Sequence, residues 1–150
     1  MTLDIGIVDI TTCQPMPNVM VKVWSCKYAV GRITKFSNLS STSSANALGE
    51  YGSTFLRGAF TSAANGVAEF QTLFPGYNSD GANHINLMIH TSNALPGTIS
   101  HVGQVFFTDR WTDVIAMTSP YNQNTHHRVL NAQDSNYATA NSGGYNAIVE

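Results

Sequence analysis

Apolar and polar residues alternate with a period of two along several short stretches of the chain, and no helical period of 3.6 lasts beyond a turn or two. Leu3, Ile5 and Ile7 are interleaved with Asp4 and Gly6; Val19, Val21 and Val23 with Met20, Lys22 and Trp24; Ile85, Leu87 and Ile89 with His84, Asn86, Met88 and His90. Successive side chains on a strand point to opposite faces, so each run reads as a strand with one face towards a core. Val67 to Phe74, and Val102 with Gln104 to Phe107, give two more runs. Turn chemistry separates them at Gln14-Pro15-Met16-Pro17-Asn18, Ala64-Asn65-Gly66 and Pro75-Gly76-Tyr77-Asn78. Residues 37–53 are rich in Ser, Asn and Gly and read as a long surface loop. Arg110 to Thr118 is the one stretch with room for a short helix. The expected fold is all-β, an antiparallel β-sandwich with long loops and at most one short helix.

At 150 residues the chain is long enough to bury a core without metals or many disulfides. We expect residues 1–150 to form a single domain. The N-terminus runs straight into strand-like sequence, so either a leader has been removed or the chain is a piece of a longer precursor.

Charged residues make up 11% of the chain, against about 25% in an average domain. Fourteen Ser, fifteen Thr and fourteen Asn supply polarity instead. Seven basic residues, scattered, and a net charge of −2 argue against a nucleic-acid partner, which needs clustered Lys and Arg to displace phosphate counterions. No apolar run is long enough to span a bilayer. A neutral surface rich in hydroxyls and amides suits the outside of a cell, so an extracellular location is expected.

Cys13 follows the first strand and Cys26 the second. If those strands are antiparallel neighbours the thiols meet at one end of a sheet, where a disulfide fits; two buried free thiols are the other reading. Two cysteines alone make no zinc site. Asn38-Leu39-Ser40 is an N-glycosylation sequon within the polar loop. Chemistry-bearing side chains are few. His84, Asn86, Met88 and His90 share the strand face opposite the aliphatic residues, but His84 and His90 lie about 20 Å apart along a strand, too far to share one ion. His126 and His127 are adjacent and face opposite ways on any strand, so a solvated loop is expected. Asp109 and Asp113 meet only if a helix forms beneath them. Trp24, Trp111 and Tyr121 can line a pocket, with core packing as the ordinary alternative.

Segments in the right order along nearly the whole chain resemble the secreted, fungal-type intradiol ring-cleavage dioxygenases. They include residues 3–13, Pro17-Asn18, Val21-Lys22-Val23-Trp24-Ser25-Cys26, Thr54-Phe55-Leu56-Arg57-Gly58, Gly66-Val67-Ala68-Glu69-Phe70 and Phe74-Pro75-Gly76. His84-Ile85, His101-Val102-Gly103-Gln104-Val105-Phe106-Phe107, Pro120-Tyr121-Asn122 and Asn131-Ala132-Gln133-Asp134-Ser135 continue the match. The resemblance implies a β-sandwich, a Cys13–Cys26 bridge, and a ferric ion held by two tyrosinates and two histidines that activates a catecholate towards dioxygen. The first histidine of that set falls on His84 and the active-site glutamine on Gln104. The second histidine falls on Asn86, and the arginine three residues before the first histidine falls on Gly81. One tyrosine position falls on Asn78, with Tyr77 beside it; the other lies just after Gly31, where Arg32 and Ile33 stand.

His84 and Tyr77 are thus remnants of a metal site and Gln104 of a catalytic one, on a degenerate member for which no cofactor is expected. The first functional expectation is a non-catalytic extracellular structural module that self-associates as a homo-oligomer, filament or sheet and carries glycans. A weakly charged β-domain lacks long-range self-repulsion, and exposed edge strands can pair between copies. The alternative is an Fe(III) intradiol dioxygenase acting on catechol-type aromatics, with Tyr28 or Tyr51 completing the ligand set. A third reading is a binder that keeps a pocket without the metal.

Overall fold

The computed structural model describes residues 1–25, 56–91, 97–142 and 148–149. Cys26, Asn38, Tyr28, Tyr51, Arg32, Ile33 and the polar loop at 37–53 lie outside the described residues. The chain is mostly β, with strands β1 (Thr2–Gly6), β2 (Val8–Asp9), β3 (Gln14–Pro15), β4 (Met20–Trp24), β5 (Arg57–Thr61), β6 (Val67–Gln71), β7 (His84–His90) and β8 (Ile99–Phe106). The expected helix is present as α1 (Asp109–Ala116). A second one, α2 (Ser135–Ala140), corrects the expectation of at most one. No described helix is long and apolar enough to cross a membrane. β1 pairs with β6, β2 with β3, and four strands form a sheet in the order β5-β4-β7-β8. The pairs β1–β6, β2–β3 and β4–β5 are antiparallel. The chain divides into two compact units, with β7 and β8 each contributing to both.

The first unit takes Met1–Trp24, Asn38–Leu73 and Leu87–Val102. On the β1–β6 ladder Leu3 faces Phe70 and Ile5 faces Ala68, and all four are buried. Val21 and Val23 are the buried residues of β4, and burying each such side chain stabilises by about 2 kcal/mol. Gly58 lies opposite Val23, and a Cβ there would sit 3.3 Å from the Phe70 ring, so glycine leaves room for the aromatic beneath it. The Asn65-Gly66 turn holds Gly66 at φ +77°, where a Cβ would lie 2.8 Å from Pro15 Cβ and 2.9 Å from the Ile7 carbonyl; only glycine fits. Buried Ser62 donates to the Met16 carbonyl and accepts from the Val19 amide, so its hydroxyl is satisfied in the interior. Cys13 sits in the tight turn between β2 and β3, at φ 56°, and is exposed. No disulfide is found among the described residues.

The second unit takes Ser25–Ser37, Phe74–Asn86 and Gly103–Glu150. Phe74 packs against Phe107 with ring centroids 4.4 Å apart and the planes tilted by 50°, and meets Tyr121 edge-on at 6.5 Å. Two buried asparagines lock the chain around this cluster. Asn83 donates from its amide to the Pro75 carbonyl and accepts the Phe107 amide at its own carbonyl. Asn131 donates to the Phe107 carbonyl. Tyr121 donates its phenol to the Phe74 carbonyl at 2.9 Å, and burial pushes that phenol above its ordinary pKa of 10.0.

The Tyr121 group is favoured in its protonated form by the fold, so its contribution is complete below pH 10 and is lost as pH rises through the folded value. Tyr121→Phe is expected to cost about 1 kcal/mol at pH 8. The gap between the two proteins should close above pH 10, which paired urea titrations at pH 8 and pH 11 will read.

Candidate functional site

The surviving candidates gather on one face of the β7–β8 ladder in the second unit. The backbone bond from the Phe107 amide to the Asn83 carbonyl fixes the register there. It sets His84 opposite Phe106 and Asn86 opposite Gln104, and the side chains agree. The His84 and Phe106 rings lie 5.7 Å apart, and Gln104 donates from Nε2 to Asn86 Oδ1 at 3.1 Å. Phe106 is fully buried and takes the edge of Tyr137, from α2, at 5.3 Å on its own account. His84 is half-buried. Its Nδ1 lies 2.7 Å from the Ala82 carbonyl, which only accepts, so Nδ1 carries the proton and Nε2 presents the lone pair.

Position 81, where the resemblance places an arginine, is closed by a carboxylate. A Cβ on Gly81 would lie 2.7 Å from Asp134 Oδ2. That oxygen accepts the Ala82 amide at 2.7 Å, while Oδ1 accepts the amides of Asn136 and Tyr137 and so caps α2. Asp134 thus ties the entry of β7 to the start of α2 and fills the space beside residue 81. Gly81→Ala is expected to destabilise by about 2 kcal/mol through this overlap, with the loss read as a lower urea midpoint at unchanged slope.

Tyr77 is tied to the segment after α1. Its phenol is directed at the Asn124 carbonyl, 3.4 Å away, and Asn124 donates back to the Tyr77 carbonyl at 2.8 Å. Asn78 bonds to Asp80 within its own turn. Asp109 and Asp113 do meet, on Arg128, whose guanidinium spans both carboxylates. Trp111 is 59% exposed and packs into no core, against the ordinary expectation. The residues that sequence reasoning missed are Asp134 and Tyr137. Asp134-Ser135 ahead of Asn136-Tyr137 carries an N-cap signal that points to the helix, though not to the contact with Ala82.

Tested against ferric iron, the described donors fall short. Hard ferric ion favours several anionic oxygen ligands. His84 offers one imidazole nitrogen, Asn86 an amide oxygen that accepts from Gln104, and Tyr77 a phenol that donates to the Asn124 carbonyl. No three of His, Cys, Asp or Glu converge among the described residues. These residues do not fit the ion.

The elements and their order define an antiparallel β protein with a few short helices and a histidine–amide face on its β7–β8 ladder. No protein-family model matches the chain, and no curated protein does. Solved structures do. An intradiol ring-cleavage dioxygenase from Tetranychus urticae aligns with a TM-score of 0.77 at 29% identity, over 100% of this chain and 70% of its own. A second dioxygenase crystal structure aligns with a TM-score of 0.72 at 30% identity, over 92% of this chain and 66% of its own. The dioxygenase domain of a dioxygenase carbohydrate-binding fusion from Streptomyces sp. SirexAA-E shares the fold, with a TM-score of 0.54 at 14% identity, over 99% of this chain and 78% of its own. The scaffold is therefore that of the intradiol ring-cleavage dioxygenases, a β-sandwich fold.

Proposed function

We propose that the chain is a non-catalytic member of the intradiol dioxygenase family, an extracellular module that assembles with copies of itself. The observation that carries the first half is the filled arginine position, where the Asp134 carboxylate stands 2.7 Å from the place of a residue 81 Cβ. The Asn86–Gln104 amide pair supports it, because it binds the family's glutamine to a neutral neighbour. No step of ring cleavage is derived from these residues. Weak net charge and exposed apolar residues support assembly: Trp111, Val114 and Met117 recur at three-residue spacing along α1 and its C-terminal cap. A glycan on Asn38 would belong to the same extracellular setting.

The rival reading, an Fe(III) dioxygenase cleaving catechols, rests on what the similar structures are called. Iron content, the visible spectrum and catechol turnover of the iron-supplied protein separate the two. A colourless protein without turnover is expected. Near one iron per chain with a tyrosinate charge-transfer band and catechol cleavage would overturn the non-catalytic reading. Sedimentation at rising concentration tests the other half, and a strict monomer at high concentration would remove assembly.

A further inference from the structure

Of the fourteen asparagines, Asn65 alone precedes a glycine. That pairing is the most open to self-modification, because glycine carries no side chain to shield its amide nitrogen from the preceding side-chain amide. The Gly66 nitrogen attacks Asn65 Cγ, a C–N bond forms to close a cyclic imide, and the side-chain nitrogen leaves as ammonia with the Gly66 amide proton. Water then opens the ring. Attack at the side-chain carbonyl gives aspartate. Attack at the main-chain carbonyl gives isoaspartate, in which the main chain runs through Cβ and Cγ and is lengthened by a carbon.

The folded turn from β5 to β6 occupies both reacting groups. Asn65 is exposed, so water reaches it, but its Oδ1 accepts the Val67 amide at 3.1 Å. The side-chain carbonyl is thus tied to the amide two residues on, past the nitrogen that would attack it. The Gly66 N–H donates to the Ala63 carbonyl at 2.9 Å, and that amide must give up its proton to attack. The Gly66 carbonyl accepts the Ile7 amide at 2.9 Å, and the Ala63 amide donates to the Val67 carbonyl at 2.9 Å. Gly66 itself is buried, with the place of its Cβ 2.8 Å from Pro15 Cβ and 2.9 Å from the Ile7 carbonyl. Ring closure has to turn the Asn65–Gly66 peptide, and these bonds must break first.

We propose that Asn65 is a conditional modification site: closed while the turn is folded, and converted to aspartate and isoaspartate, with release of ammonia, in chains whose turn has opened. The rate of conversion then follows the open population. The two products differ in what they do to the fold. Aspartate leaves the main chain unchanged and keeps an oxygen for the Val67 amide. Isoaspartate inserts a carbon ahead of Gly66, whose N–H and carbonyl then cannot both meet Ala63 and Ile7. Val67, the next residue, pairs with Gly6 at the end of the β1–β6 ladder, so the damage falls where those strands meet the turn. The site lies within the first unit, uses none of His84, Asn86 or Gln104, and stands whether or not the proposed function does.

The test incubates the purified chain at one pH and temperature, folded in buffer and unfolded in guanidinium chloride. Ammonia release and peptide mapping by mass spectrometry follow the conversion, with isoaspartate told from aspartate by its backbone fragmentation. Asn65 is expected to convert first in the denaturant, and at least tenfold more slowly in buffer. Asn65→Gln should remove the early ammonia, because the longer side chain closes a ring far less readily. After refolding, Asn65→Asp should show the urea midpoint of the unmodified chain, whereas the isoaspartate fraction should show a lower one. Equal rates in the two states, another asparagine converting ahead of Asn65 in the denaturant, or an isoaspartate fraction with an unchanged midpoint would overturn the proposal.

Discussion

Replacing Asp134 by alanine should cost about 3 kcal/mol of stability, the largest effect expected of any single substitution on the candidate site. The carboxylate is 8% exposed and accepts three backbone amides, from Ala82, Asn136 and Tyr137. Losing the cap of α2 accounts for about 1 kcal/mol. The rest comes from the Ala82 amide, whose residue is 1% exposed and which is left without an acceptor. Tyr137 should then loosen from Phe106, because the start of α2 no longer holds it. Urea denaturation followed by circular dichroism measures the loss. A cost below about 1 kcal/mol would mean that water replaces the carboxylate at little penalty. The Gly81→Ala penalty should shrink towards zero in the Asp134→Ala background, because the overlap requires both atoms, and that non-additivity is measured by a double-mutant cycle.

Arg128→Ala should cost about 2 kcal/mol. The guanidinium donates to Asp113, to Asp109 Oδ1 at 2.6 Å and to the Asp109 carbonyl at 3.1 Å. The two carboxylates are 39% and 55% exposed, so solvent screens most of their charge and the ion pairs alone account for little. The Arg128 side chain is 16% exposed, and its loss removes packing together with the clasp on the first turn of α1. Arg128→Lys should recover less than half, since an ammonium cannot reach both carboxylates in a fork. Thermal unfolding of the three proteins in low and high salt checks this. An equal drop for Ala and Lys that vanishes in high salt would mean that charge alone matters.

The strands that alternate cleanly were legible from residue types. β1, β4, β6, β7 and β8 lie where Leu3 to Ile7, Val19 to Val23, Val67 to Phe74, Ile85 to Ile89 and Val102 to Phe107 placed them, with bounds shifted by a few residues. β5 was not legible. Arg57-Gly58-Ala59-Phe60-Thr61 has no aliphatic alternation, and Phe60, opposite Val21 and edge-on to Phe70, still stays 54% exposed; the place of the strand is set by pairing with β4. α2 has six residues, too few for a periodic signal, and is held by its cap and by Tyr137 against Phe106. Trp111 was misplaced for a related reason. Arg128 grips Asp109 and Asp113, one turn apart, and thereby sets the rotation of α1. Thr112 is turned inward and Trp111 outward. Of the candidate site, His84 and Gln104 came from the resemblance, and alternation alone placed His84 and Asn86 on one face. Asp134 beside Gly81 did not, because that contact joins residues more than fifty positions apart and leaves no local pattern.

The same contact decides which neighbouring sequences this fold can visit. A side chain introduced at position 81 alone meets the Asp134 carboxylate at its first carbon. Removing Asp134 first uncaps α2 and strands the Ala82 amide. Each single step leads downhill in stability. Positions 81 and 134 are therefore coupled across more than fifty residues, and a larger side chain at the first is accommodated only together with a change at the second.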